Sequence, residues 1–134
     1  MAAPSRFDVK TSSPFDMIDI TAQVRRAVQD SGVKDGICVV YTPHTTAAVT
    51  INEHADPDVA HDIVRSLARL VPERDGYAHS EGNSQAHIKA SVMGNSRTII
   101  VGGGVPLLGT WEGVFFCEFD GPRSRQVMVK VMEG

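Results

Sequence analysis

The chain has 134 residues, of which 42% are hydrophobic and 22% charged, and its formal net charge is -3. That balance suits one globular domain over residues 1–134, able to bury about two thirds of the surface its unfolded chain exposes, and leaves no basic footprint for a nucleic acid. The longest mostly apolar run, IIVGGGVPLLG, is too short and too broken by glycine and proline to span a bilayer. The first residues lack the apolar centre of a secretion signal, so a cytoplasmic location is expected, with no membrane partner.

Residues 6–11 and 15–20 show the short apolar alternation of strands. Ser12, Ser13 and Pro14 break the chain between them, and the two are expected to pair as a hairpin or meander. Thr21 is expected to cap a helix running to Ser31, with Val24, Ala27 and Val28 on its buried face and Gly32 as its left-handed stop. GICVVY, at Gly36–Tyr41, is a continuous apolar run, the pattern of a central strand covered on both faces. Residues 47–52 are expected to be its neighbour.

The clearest helix begins at Asp56, a good N-cap followed by Pro57 at the first helical position. Val59, Ile63, Leu67 and Leu70 form its apolar stripe and Pro72 ends it. Residues 73–82 form a polar loop carrying Tyr77, His79 and Glu81. Asn83 or Ser84 can then cap a short helix ending at Gly94, on which His87 and Ser91 share a face and Lys89 points elsewhere.

Residues 97–101 read as a strand followed by a turn of three glycines, which lacks the lysine and hydroxyl of a phosphate-binding Walker loop. Residues 111–120 alternate, with Trp111, Phe115, Cys117 and Phe119 on one face and Val114, Phe116 and Glu118 on the other. A carboxylate at 118 is costly to bury unless Arg123 or Arg125 pairs with it; otherwise that end of the face is exposed. The last strand, 125–132, turns Val127, Val129 and Val131 inward. Cys38 and Cys117 lie in apolar strand-like runs and are expected to be buried, reduced thiols.

Polar groups able to do chemistry collect at the seams between these elements, above all in YTPHTTAAVTINEHADPDVAHD. His44, Thr45 and Thr46 fall on one turn, Asn52 and Glu53 end the next strand, and Asp56 opens the helix. His44, His79, Glu81 and His87 carry enough imidazole and carboxylate for a divalent metal if they converge, although the seven residues between His79 and His87 match no compact zinc spacing. Thr45, Thr46, Asn52, Lys89, Ser91, Arg123 and Arg125, with the helix start at Ser84, can instead surround an oxyanion. No serine lies on a G-x-S-x-G turn. Because element ends gather on shared rims, His44, His79 and His87 are expected to converge, with Glu118 nearby.

Three blocks in order, HTTAAVTINEHADPDVAHDI, the H-S-E-G segment running into HIKASVMG, and GTWEGVFFCEFDGPR, resemble the signature segments of the YjbQ family, and the resemblance covers nearly the whole chain. It implies an α+β fold on a mixed β-sandwich with two to three helices, a homotrimer, and sites near the subunit boundaries. It also implies a weak thiamine-phosphate synthase activity, a transferase reaction joining a hydroxymethylpyrimidine pyrophosphate to a thiazole phosphate. The matching polar positions are His44, Asn52, Glu53, Asp56, His61, Asp62, His79, Glu81, His87, Lys89, Ser91, Trp111 and Glu118, whereas His54 and Cys117 fall outside the pattern.

On that resemblance His44, His79, His87 and Glu118 are the expected catalytic residues. Thr45, Asn52, Lys89, Ser91, Trp111 and Arg123 are expected to bind substrate, with Trp111 stacking on the pyrimidine. Lys89, Arg123, Arg125 or a divalent metal, zinc or magnesium on His44, His79 and His87, would steady the departing pyrophosphate, and His87 would exchange a proton. The alternative is a trimeric module that binds a metal or small anion without turnover.

Overall fold

The computed structural model describes residues 3–134. In chain order the elements are β1 (Ser5–Lys10), β2 (Asp16–Asp19), α1 (Thr21–Ser31), β3 (Gly36–Tyr41), β4 (Ala47–Glu53), α2 (Pro57–Leu70), α3 (Ser84–Met93), β5 (Ser96–Gly102), β6 (Val105–Pro106), β7 (Glu112–Glu118) and β8 (Ser124–Glu133). They form a five-stranded sheet in the order β1-β8-β3-β5-β6 and a three-stranded sheet in the order β2-β7-β4.

The α+β class and the two-sheet arrangement are as expected. Within them, however, every pairing is antiparallel rather than mixed. The connections explain why: α1 leads from β2 in the small sheet to β3 in the large one, and α2 with α3 leads from β4 to β5, again between sheets. A parallel neighbour needs a crossover returning to the same sheet, and no helix here makes one.

The same switching corrects two expected neighbours. β1 pairs with β8 while β2 pairs with β7, so the Ser12–Ser13–Pro14 break moves the chain between sheets instead of turning a hairpin. β4 pairs with β7, not with β3, because residues 42–46 carry the chain across in the same way.

One core fills the space between the sheets, where Val40, Val127 and Val129 of the large sheet meet Val49, Val114 and Phe116 of the small one and α1 adds Val24 and Val28. A second cluster on the other face of the small sheet joins Phe115, Cys117 and Phe119 to Ala86 and Ala90 of α3, with Ile63, Val64 and Leu67 of α2 packed against them. β7 is therefore covered on both faces and is buried continuously from Gly113 to Phe119. β3, expected to be the doubly covered strand, buries only Cys38 and Val40, since no element of the described residues covers the outer face of its sheet. Cys38 and Cys117, one in each sheet, are free buried thiols, and burial pushes the Cys117 thiol up to about 12.

Local signals account for most boundaries. Asp56 accepts the backbone N–H of Asp58 at 2.9 Å and caps α2, with Pro57 following. Leu70, the last member of the expected stripe, is 76% exposed, and Ala60, Ile63, Val64 and Leu67 form the packing face instead. Ile20, not Thr21, is the N-cap of α1, and Thr21 is engaged elsewhere: its hydroxyl donates to Asp19 and accepts the Val114 N–H at 2.9 Å. The β5–β6 turn places Gly103 and Gly104 at φ 59 and 81, both in the left-handed region that a two-residue hairpin turn needs.

Candidate functional site

The loop at residues 42–46 is pinned from both ends. The Thr42 N–H donates to Asn95 at 2.9 Å and its hydroxyl to the Gln126 carbonyl at 2.9 Å. Thr46 receives the Arg125 guanidinium on its hydroxyl at 2.9 Å, and its carbonyl takes the Phe119 N–H. Between these anchors the Gln126 N–H donates to His44 Nε2 at 2.9 Å. A backbone N–H can only donate, so Nε2 carries a lone pair and the neutral ring bears its proton on Nδ1. Burial, with Arg125 and Arg123 close by, holds the His44 pKa below its ordinary value against the opposing pull of Glu118.

Behind this loop lies the buried ion pair that sequence left open between two arginines. Glu118 is fully buried and Arg125 is 3% exposed. Glu118 Oε1 accepts from the Thr11 hydroxyl at 2.7 Å and from Arg125 Nε at 2.8 Å, while Oε2 takes Arg125 Nη2 and the Asp120 N–H at 3.1 Å. Burial alone would raise its pKa, but the Arg125 and Thr11 hydrogen bonds outweigh it and lower it. With both oxygens engaged, Glu118 has no free lone pair for a reacting group; it positions Arg125, and through Arg125 the His44 loop. Arg123 pairs instead with Asp120, at 2.9 Å.

His44 and His87 line two adjoining clefts. One, of about 410 Å³, adds Thr45, Ser91 and Asn95; the other, of about 310 Å³, adds Thr45, Asn83, Asp120 and Arg123. His79 stands edge-on to His87 with ring centroids 5.5 Å apart and lies 3.7 Å from the Glu81 carboxylate. The three imidazoles thus gather around α3. Among the described residues, however, no three His, Cys, Asp or Glu side chains are grouped as a metal ion requires. The donor set does not fit a metal, since His44 already spends Nε2 on a backbone N–H.

The second cleft suits an oxyanion better. It opens at the N-terminus of α3, where Asn83 occupies the N-cap without a capping side-chain bond. Ser91 lies on the His87 face as expected, donating to the His87 carbonyl at 2.8 Å.

Other expected substrate residues lie elsewhere in the chain. Lys89 is 2% exposed, with its ammonium over the Phe15 ring at 4.2 Å, and burial lowers its pKa against the pull of Glu73. Asn52 and Trp111 sit at the far end of the small sheet, where Asn52 pairs with Gly113, whereas Ala47 beside the His44 loop pairs with Glu118. Five residues of strand separate those ends, about 17 Å. Trp111 is 63% exposed.

That far end has a cleft of its own, of about 220 Å³, lined among others by Asp19, Glu53, His54, Asp56 and His61. There His54 Nδ1 lies 2.8 Å from Asp19, whose pKa is lowered because hydrogen bonds from Thr21 and His54 outweigh its partial burial. Asp120 and Asn95 line the His44 clefts without having been singled out from sequence as site residues, and Asn83, read there only as a possible helix cap, lines one of them too. Phe-Asp-Gly-Pro reads as a plain turn, and nothing local marks its aspartate as facing a site.

Comparison with known proteins agrees with this architecture. The family model "UPF0047 protein YjbQ-like" matches residues 5–134. The UPF0047 protein MJ1081 of Methanocaldococcus jannaschii is 53% identical over 95% of this chain and 92% of its own length. The UPF0047 protein YugU of Bacillus subtilis is 47% identical over 92% of this chain and 95% of its own. Among solved structures, a YjbQ/UPF0047 protein from Clostridium acetobutylicum superimposes with a TM-score of 0.94 at 54% identity, covering 96% of this chain and 99% of that one. A YbjQ-like protein of unknown function from Sulfolobus solfataricus gives 0.95 at 32% identity, covering 98% and 97%. A matched model spanning all but the first four residues, joined to relatives this similar along their whole length, makes the chain a member of the YjbQ/UPF0047 family.

Proposed function

We propose that the protein binds a small phosphorylated molecule in the His44–His87 cleft and uses it in a pyrophosphate-displacing transfer. The finer reading is the weak coupling of a hydroxymethylpyrimidine pyrophosphate to a thiazole phosphate that the YjbQ resemblance implies. The observation that carries it is the lining of the cleft: the His44 ring, His87, the Thr45 hydroxyl and Arg123 meet beside the start of α3. Such donors, preorganised before substrate arrives, stabilise charge developing on a leaving pyrophosphate. His87, partly buried and free of any side-chain hydrogen bond among the described residues, is the group suited to proton exchange.

The test is a coupling assay on the purified protein with both phosphorylated heterocycles, with and without added divalent ions, beside calorimetric titration of inorganic pyrophosphate. Product formation lost in His87→Ala supports the transferase reading. Pyrophosphate binding without product leaves an anion-binding module, and neither result rejects the phosphate reading altogether. Binding of zinc that depends on His44, His79 and His87 would overturn this reading in favour of the metal alternative, since it requires His44 to give up the Gln126 N–H.

Self-association as a homotrimer is part of the same proposal. It is supported by the outer face of the large sheet, where register aligns Ile100 and Met132 on either side of Ile37, with Ile100 64% and Met132 45% exposed. Light scattering that returns a monomer mass at every concentration would reject it.

A further inference from the structure

Of the two carboxylates lining the His44–His87 cleft, Asp120 and Glu81, Asp120 pairs with Arg123, one of the two arginines on the same lining. Through Oδ2 it takes Arg123 Nη2 at 2.9 Å and the Asn83 side-chain N–H at 2.9 Å, and its own carbonyl takes Arg123 Nε at 2.8 Å. Arg123 remains 54% exposed on its side chain, with Nη1 unpartnered among the described residues. Asn83 is drawn into the same clasp. Its amide faces Asp120 rather than the first turn of α3, and its Oδ1 is buried with no donor. An N-cap asparagine ordinarily turns its oxygen onto that first turn.

A single residue thus occupies the Nε–Nη2 edge of the guanidinium, its carboxylate on Nη2 and its carbonyl on Nε, and withholds the cap of the helix at which an incoming phosphate would bind. Resting on the phosphate reading above, we propose that Asp120 is an internal competitor for the anion: it holds Arg123 and Asn83 in a closed clasp that phosphate or pyrophosphate must displace, and so sets the affinity of the site. A dianionic or more highly charged phosphoryl group, which brings more charge to the guanidinium than the carboxylate it displaces, is the class of ligand that can open the clasp. A singly charged carboxylate or sulfonate has no advantage over the one already present. Asp120 then sets a threshold that an anion must exceed to open the clasp, without touching the rest of the substrate.

The experiment is calorimetric titration of inorganic pyrophosphate, and of acetate as the singly charged control, into the wild type, Asp120→Asn and Asp120→Ser. Removing one negative charge a few ångströms from the bound anion should tighten pyrophosphate on the order of tenfold, by an amount that shrinks at high salt. Acetate, carrying a single charge, should gain less than pyrophosphate, because the repulsion removed scales with the charge of the ligand. If the wild type binds pyrophosphate and the variants bind it equally or more weakly, the competitor role is overturned while the phosphate reading stands. If no form binds, both fall.

Should neither variant fold, the wild type decides alone. The Arg123 Nε–H resonance should move during a pyrophosphate titration as the clasp opens, and binding that leaves it unmoved overturns the proposal.

Discussion

Replacing Glu118 by glutamine tests whether this carboxylate is a structural anchor. In the native chain it accepts four hydrogen bonds, two from Arg125, one from Thr11 and one from Asp120, in a site closed to solvent. Glutamine keeps the shape but turns one oxygen into a donor, so two of the four contacts become donor against donor, and the Arg125 guanidinium, 3% exposed, loses its counter-charge. Hydrogen bonds to charged groups contribute about 1.5–3 kcal/mol each, and breaking a buried pair from one side costs about 3–5 kcal/mol. A loss of about 4 kcal/mol is expected, a large share of the roughly 5–15 kcal/mol that holds such a fold. The assay is urea unfolding at one fixed protein concentration, since self-association would shift the midpoint.

Glu118→Leu combined with Arg125→Met should recover most of the loss, because no charge is then left buried alone. A single-mutant loss below about 1 kcal/mol, or a double mutant worse than the single, refutes the anchor. The pH dependence has a definite sign. With its folded pKa below the ordinary carboxylate value, Glu118 contributes stability that is present above the unfolded pKa and lost as pH falls through the folded one.

Asp56→Ala should cost about 1 kcal/mol through loss of the α2 cap, read as a shift in urea midpoint; an unmoved midpoint rejects it. Gly113→Ala should cost about 1–3 kcal/mol because a Cβ there meets the His54 ring, and adding His54→Ala should relieve that cost. Nitrogen NMR of His44 should show a neutral ring protonated on Nδ1 and a pKa below the usual 6.5. Its stabilising share is therefore complete above pH 6.5 and erodes as pH drops toward the folded pKa, whereas a proton found on Nε2 would contradict the Gln126 contact.

Local chemistry made the helices legible and global pairing did not follow from it. Asp56 with Pro57 and the left-handed Gly32 mark ends that depend only on nearby backbone, and the structure has them where expected. Strand existence was legible for the same reason, but partners were not. Nothing within residues 12–14 or 42–46 says whether the chain turns back or crosses to a second sheet, since that depends on which apolar faces finally meet. The site was half legible. His44, His79 and His87 gather because the loops at 42–46 and 73–83 end at α3, while Asn52 and Trp111 share sequence blocks with site residues yet sit a strand length away. Glu118 announced its need for a partner. Arg125 meets it because Asp120, three residues before Arg123, already holds the other candidate.

The two thiols have a use as built-in probes. Alkylating reagents attack the thiolate, and neither sulfur offers one while the sheets are closed: Cys38 and Cys117 are wholly buried, and at neutral pH a thiol at about 12 is almost entirely protonated. Labelling must then wait for the surrounding strands to part. Because Cys38 belongs to the large sheet and Cys117 to the centre of the small one, the rate at each sulfur times the opening of its own sheet. Equal rates would mean that the layers open as one unit. Faster labelling at Cys117 would mean that α2 and α3 lift from the small sheet before the rest of the protein yields.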